Sequence, residues 1–396
     1  MRCDRIRWRG REACLVGNDL VELIHLTGGG HIVDYHFREK NCDVNPFWVP
    51  RWKTLEPFRF KPEKHTRIYG EPETGRVLSG IAGHSLCLDL FGMPSPEESK
   101  FGETIHGEAG VSKWKFSLKT RKDQATLLFS VRLPRAALAF RRSLFLRRGE
   151  SVIYVRETVK NERKLDQFFQ WQQHATLGAP FLSRDCVIEV PGARGRTYPS
   201  GYEGRELLKS DTEFQWPNAP RFDRGRVDLR RALTTPSRGF VAGVQIAPNR
   251  NHAFACALNW RLSLVIGYCF RRDDFPWIAL WEENGSRRYS PWRGREKTRG
   301  LEFGTSPLPL TRAENFLQGQ MFGTPTLKHI PAGGTRTVNY VLFLARVPQG
   351  SRSIANVAVK WDSLELVSPS DRVISSLSAG AIREYLPRSQ PAQGCC

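Results

Sequence analysis

The feature that most limits what this chain can fold into is the run of short, strand-like segments that fills its middle and rear. ATLLFSVRL, AFRRSLFL, SVIYVRETV, DCVIEV, GFVAGVQI, HAFACALNW, LSLVIGYCF, WIALWEE and TVNYVLFLARV follow one another. Each has strand length and is rich in β-branched and aromatic residues. Turn signals such as Arg148-Gly149-Glu150, Pro191-Gly192 and Pro248-Asn249 separate them. Only one helix pattern stands out, near Val373 to Tyr385. Strands at hairpin-like spacing, with no helices between them, predict an all-β fold built as a large antiparallel β-sandwich. No repeat of fixed period points to a propeller. At 396 residues the chain can bury a sizeable core, and a single sandwich domain is expected over 1–367. From about Ser368 the sequence turns polar and small, which predicts a surface appendage over 368–396.

Charge and cysteines narrow the class of function. The formal net charge of +20 and pI near 9.9 raise nucleic acid, an acidic membrane surface or an anionic ligand as partners. The basic residues are dispersed, however, with only short clusters such as Arg141-Arg142, Arg147-Arg148 and Arg230-Arg231, and the strings between them read as strands. A basic surface, with no nucleic-acid partner, is the expectation. The nine cysteines include no CxxC pair, and Cys87, Cys256 and Cys269 sit in apolar strand strings. Reduced thiols and a cytoplasmic location follow. The terminal Cys395-Cys396 resembles a prenylation tail only in its last two residues and is taken as plain tail. The first residues, MRCDRIRWRGREACLVGN, lack an apolar signal core, and no apolar run reaches the roughly 20 residues needed to cross a bilayer. No membrane partner is therefore expected.

Three stretches hold side chains suited to proton transfer. His174, in QQHATLGAPFL, is expected where strand runs into loop, with no Cys, Asp or second His beside it to make a metal site. His106, in IHGEAG, stands at a second loop mouth ahead of the strand string WKFSLK. Glu302, in RGLEFGTSP, alternates with Leu301 and Phe303, so it points away from them, outward or into a concavity. In a partly dehydrated pocket its basicity would rise, as a general base requires.

Other segments compete. Glu282-Glu283 is a second carboxylate candidate, yet adjacent strand residues face opposite ways and a solvated turn is the simpler assignment. Gly28-Gly29-Gly30 lacks phosphate-loop spacing and reads as a turn before a strand. The Pro- and aromatic-rich stretch 41–62 reads as a packed surface lid or a ligand wall; Trp48 and Trp52 are candidates to stack on a sugar face, with plain packing in the loop as the simpler assignment. MPSPEESKFGET reads as a polar loop.

In chain order and character, HGEAG at His106, the run from Asn161 through QQHATLGAPFL, and RGLEFGTSP at Glu302 resemble the three key stretches of the galactose mutarotase (aldose 1-epimerase) superfamily. The resemblance spans roughly residues 12 to 365. It implies a β-supersandwich whose cleft holds His174 as general acid, Glu302 as general base, and His106 as a substrate-binding group near the sugar ring oxygen. Two features depart from that pattern. His174 is followed by Ala-Thr-Leu-Gly where typical galactose mutarotases have aromatics and Asn-Leu, and the family's substrate-binding Asp and early Arg have no clear counterpart.

The chemistry agrees with that assignment. Interconverting anomers needs one group to take the proton of the anomeric hydroxyl and another to protonate the ring oxygen, so that the ring opens, the aldehyde rotates and the ring recloses. A raised carboxyl and an imidazole do this near pH 7 without metal or organic cofactor. The expected ligand is a monosaccharide or an anionic sugar derivative, contacted by Trp48, Trp281 and Arg67 as further candidates. Arg51, Arg59 and Arg299 are other arginines for an oxyanion. A non-catalytic carbohydrate-binding protein and a glycan-cleaving enzyme on the same fold are the alternatives.

Overall fold

The computed structural model describes residues 1–39 and 43–387. Two large sheets carry the fold, one of 14 strands and one of 8, and all ladder pairings within them are antiparallel. Every strand string named from the sequence is a strand, among them Gln124–Leu133, Leu138–Arg147, Val152–Asn161, His252–Asn259 and Thr335–Arg346. Alternation decides how the sheets meet. Leu127, Phe140, Val155 and Leu342 from the smaller sheet bury against Leu88, Trp171, Ile278 and Leu301 from the larger one. The opposite face of the larger sheet is left to hold polar side chains, and the candidate site lies there.

The strands at that face run in the order His84–Asp89, Gln167–Gly178, Lys297–Gly304, Trp277–Asn284. His174 lies inside the second of these, well before its end at Gly178. The expected strand-to-loop position is therefore corrected. The string QFFQWQQHATLG carries on as strand because hydrogen-bonded neighbours on both sides supply its backbone partners.

Among the described residues there are five short helices where one was expected: Pro62–Tyr69, Pro72–Leu78, Pro96–Lys100, Arg312–Gln318 and Ile382–Tyr385. Three open on a proline at their first position, where the missing N–H has no intrahelical partner to lose. The polar loop MPSPEESKFGET is corrected in this way. Ser95 and Glu98 form a capping box, Ser95 accepting from Glu98 N at 3.2 Å and Glu98 from Ser95 N at 2.8 Å. No described helix is long and apolar enough to cross a membrane.

The helix expected near Val373 to Tyr385 is also corrected. Val373–Ser378 is a strand, paired with Ser363–Val367 in a three-stranded sheet, and only Ile382–Tyr385 is helical. Leu364, Leu366, Ile382 and Leu386 bury against Tyr154, Cys256, Val341 and Phe343 on the outer face of the smaller sheet. Residues 368–387 are thus tied to the sandwich by a second apolar cluster. Cys42 and Cys395-Cys396 lie outside the described residues, and the six described cysteines are free thiols.

Candidate active site

Register brings the two central groups together. Gln173 pairs with Phe303 and Thr176 with Gly300 across the ladder, which makes His174 and Glu302 cross-strand neighbours on the face opposite Trp171, Ala175, Leu301 and Phe303. His174 Nε2 lies 3.3 Å from Glu302 Oε1. Gly300, two residues back on the same face, leaves room for this carboxyl: a β-carbon there would overlap Glu302 Oε1. Glu302 Oε1 has no hydrogen-bond partner of proper geometry, although it is buried. A polar atom left without a partner in the interior is expensive and therefore informative.

His106 completes the group. Its φ of 67° puts it in the left-handed region, where a non-glycine residue stands only if its surroundings hold it. Its Nδ1 donates to the Phe91 carbonyl at 2.6 Å, which leaves Nε2 as the acceptor nitrogen. The His106 and His174 ring centres are 4.9 Å apart. His174 Nδ1 is 3.1 Å from the Thr176 hydroxyl.

The surroundings disfavour charge on all three groups. Burial pushes the Glu302 carboxyl well above the usual carboxylate range. Burial, reinforced by His106, pushes the His174 imidazole well below its ordinary value. His106 falls to about 4, mainly by burial, with a smaller push from the Arg287 charge. Both shifts favour a neutral carboxyl and a neutral imidazole over an ion pair.

These residues line a cavity of about 430 Å³, within the usual size range of small-ligand sites. Trp281 forms one wall, its ring centre 5.8 Å from that of His174. Tyr202, Trp281 and Trp292 flank the Arg287 guanidinium at 4.9, 5.7 and 4.9 Å. Arg287 Nε also sits 3.3 Å from Glu203. From the helices Pro62–Tyr69 and Pro72–Leu78, Tyr69, Thr74 and Val77 also line the cavity.

Of the residues singled out in the sequence, His106, His174, Glu302 and Trp281 line this cavity. Trp48 does not. It stacks on Trp292 at 5.7 Å and donates through Nε1 to Glu296 at 2.8 Å, so it supports the wall from behind. Trp52 packs there too, 5.1 Å from Trp292. Arg67, Arg51 and Arg59 are exposed and outside the lining, whereas Arg299 is buried against Glu282 at 3.1 Å. The solvated-turn assignment of Glu282-Glu283 is corrected as well. Both are buried, Glu282 by Arg299 and Glu283 by Tyr202 and Ser286. Sequence reasoning missed Arg287, Tyr202 and Tyr69. The basic-aromatic string RRYSPWRG from Arg287 was the available signal.

Two packed antiparallel sheets of this kind match the galactose mutarotase-like fold. Solved structures bear this out at the level of fold. A candidate aldose 1-epimerase from Klebsiella pneumoniae superposes with a TM-score of 0.59 at 15% identity, over 85% of this chain and 79% of that one. A galactose mutarotase-like protein from Clostridium acetobutylicum gives 0.57 at 13% identity, over 87% and 98% of the two chains. A candidate mutarotase from Salmonella typhimurium gives 0.55 at 10%, over 87% and 94%. No family model matches the sequence, and no curated protein is significantly similar to it.

Proposed function

We propose that this chain is an isomerase of the aldose 1-epimerase type, interconverting the anomers of a monosaccharide or an anionic sugar derivative. The observation that carries the reading is the buried His174–Glu302 pair, 3.3 Å apart and open to a cavity of about 430 Å³. Between them the two groups hold one proton and one vacant site for a proton, which is what ring opening consumes and ring closure returns. A sugar hydrogen-bonded to both draws the pair toward carboxylate and imidazolium. Glu302 then takes the proton of the anomeric hydroxyl while His174 protonates the ring oxygen, the bond between the anomeric carbon and that oxygen breaks, and rotation followed by reclosure gives the other anomer. His106, with Nε2 as acceptor, holds a neighbouring hydroxyl, and Trp281 offers an apolar face to the sugar ring. Arg287 is the cation that an anionic substituent would meet.

Glycan cleavage asks for a second carboxyl facing the first. The other carboxylate lining the cavity, Glu203, is engaged by Arg287 at 3.3 Å and by the Tyr289 hydroxyl at 3.0 Å. Anomer interconversion is the better-supported reading. Polarimetry on freshly dissolved α-aldoses and hexose phosphates tests it. The wild-type chain should speed equilibration of at least one of them, and Glu302→Gln should lower that rate by about 10²- to 10⁴-fold. Sugar binding without acceleration would make the chain a carbohydrate-binding protein instead.

A further inference from the structure

A second and larger concavity, about 1140 Å³ against about 430 Å³, lies beyond the wall of the His174 cavity. The two share no lining residue. The partition is backbone: a β-carbon at Gly92 would overlap the carbonyl oxygens of Pro309 and Leu310, so the two segments touch and separate the spaces. What lines the groove has no use in the proposed isomerisation.

Its floor holds two polar side chains with unmet hydrogen-bonding capacity. Asp89 and Gln170 are paired residues of adjacent strands, and both are more than nine-tenths buried. Asp89 Oδ2 accepts from Arg312 at 2.9 Å, while Oδ1 has no partner. Gln170 Oε1 accepts from Phe91 N at 3.1 Å, which fixes the amide and leaves Nε2 without one. An acceptor and a donor side by side are both met by one hydroxyl group, which donates to the first and accepts from the second.

The walls are apolar and open. Phe101, Phe168, Phe316 and Leu317 are 81%, 52%, 62% and 86% exposed, and all four line this groove. The Phe168 and Phe316 rings are 5.9 Å apart, edge to face. They come from a loop, a strand and a helix, so no single element's periodicity explains their convergence. Exposed aromatic platforms suit the C–H face of a pyranose ring. Charge does not compete: four carboxylates (Asp89, Glu98, Glu103, Asp166) face three guanidiniums (Arg135, Arg163, Arg312). Arg312 is held by Asp89 and Glu98, and Arg135 by Glu103 and Glu108. A neutral polyhydroxylated ligand fits such a lining better than an ion does.

We infer that this groove is a second carbohydrate site, which binds a neutral oligosaccharide longer than the unit taken by the His174 cavity. One hydroxyl bridges Asp89 and Gln170, and sugar rings pack on Phe168 and Phe316.

The full-length chain, labelled and applied to a printed array of neutral and acidic glycans, tests this, with hits remeasured by calorimetry against the soluble glycan. Neutral oligosaccharides should bind. Phe316→Ala, an exposed change that leaves the core intact, and Gln170→Leu should each weaken them by about tenfold or more, whereas Glu302→Gln should leave them bound. No neutral glycan bound, or binding lost in Glu302→Gln and kept in Phe316→Ala, would overturn the proposal; the second result would also locate the sugar in the His174 cavity. A wild-type dimer in sedimentation that Phe316→Ala dissolves would overturn it too, because a second copy would then cover the groove.

Discussion

Glu157 and Glu302 are both buried acids reached from one strand, Gln167–Gly178, but from its opposite faces. On the inner face, Glu157 has every oxygen occupied. Arg142 Nε donates at 2.7 Å and the Tyr340 hydroxyl at 3.0 Å to one oxygen, and Trp171 Nε1 at 3.1 Å and Gln173 Nε2 at 2.6 Å to the other. On the outer face, Glu302 has an imidazole at 3.3 Å and an oxygen without a proper hydrogen bond. Equal burial therefore has two meanings. A saturated carboxylate clamps the two sheets together, and a carboxyl left unsaturated beside a cavity is available to a ligand.

The largest effect should come from breaking the clamp. Arg142→Met leaves Glu157 buried without its counter-charge and should lower unfolding stability by about 3–5 kcal/mol in urea titration. Glu302→Gln, equally buried, should move the same curve by less than about 1 kcal/mol because no satisfied network is lost. Comparable losses from both would erase the distinction drawn between the two acids.

A smaller effect sharpens the comparison from the other side. Gly300→Ala pushes the Glu302 carboxyl away from His174, since the new methyl needs the space that Oε1 occupies. Misplacement of this kind should slow anomer equilibration by about a hundredfold with little change in melting temperature. An unchanged rate would mean that the position of the Glu302 carboxyl is irrelevant to turnover.

Much of this was legible in the sequence, and the rest was hidden for physical reasons. Alternation in ATLLFSVRL and the aromatic-rich apolar run of WIALWEE expose strands directly, and Leu-Glu-Phe at 301–303 already assigned Glu302 to the face opposite the core. His174 was misplaced to a loop because a central strand with polar groups on one face, QWQQHAT, has no clean apolar alternation. The short helices escaped because they span about two turns or fewer and three of them begin on prolines that read as loop punctuation; the Ser95-x-x-Glu98 and Thr311-x-x-Glu314 boxes were the local marks. Arg287 was missed for a different reason, although the string RRYSPWRG marks a basic-aromatic cluster. Its placement among Tyr202, Trp281 and Trp292 depends on contacts between residues distant in the chain, which composition does not encode.

The central claim, that Glu302 keeps a proton at neutral pH because it lies buried and unpaired beside His174, is open to a direct test by infrared difference spectroscopy. A raised carboxyl remains protonated above the ordinary carboxylate range and loses its proton only as pH rises through its elevated value. The wild-type minus Glu302→Gln spectrum at pH 7 should therefore contain the carbonyl stretch of a protonated carboxylic acid, and that band should fade on the alkaline side. A carboxylate signature at pH 7 in the ligand-free protein would contradict the account.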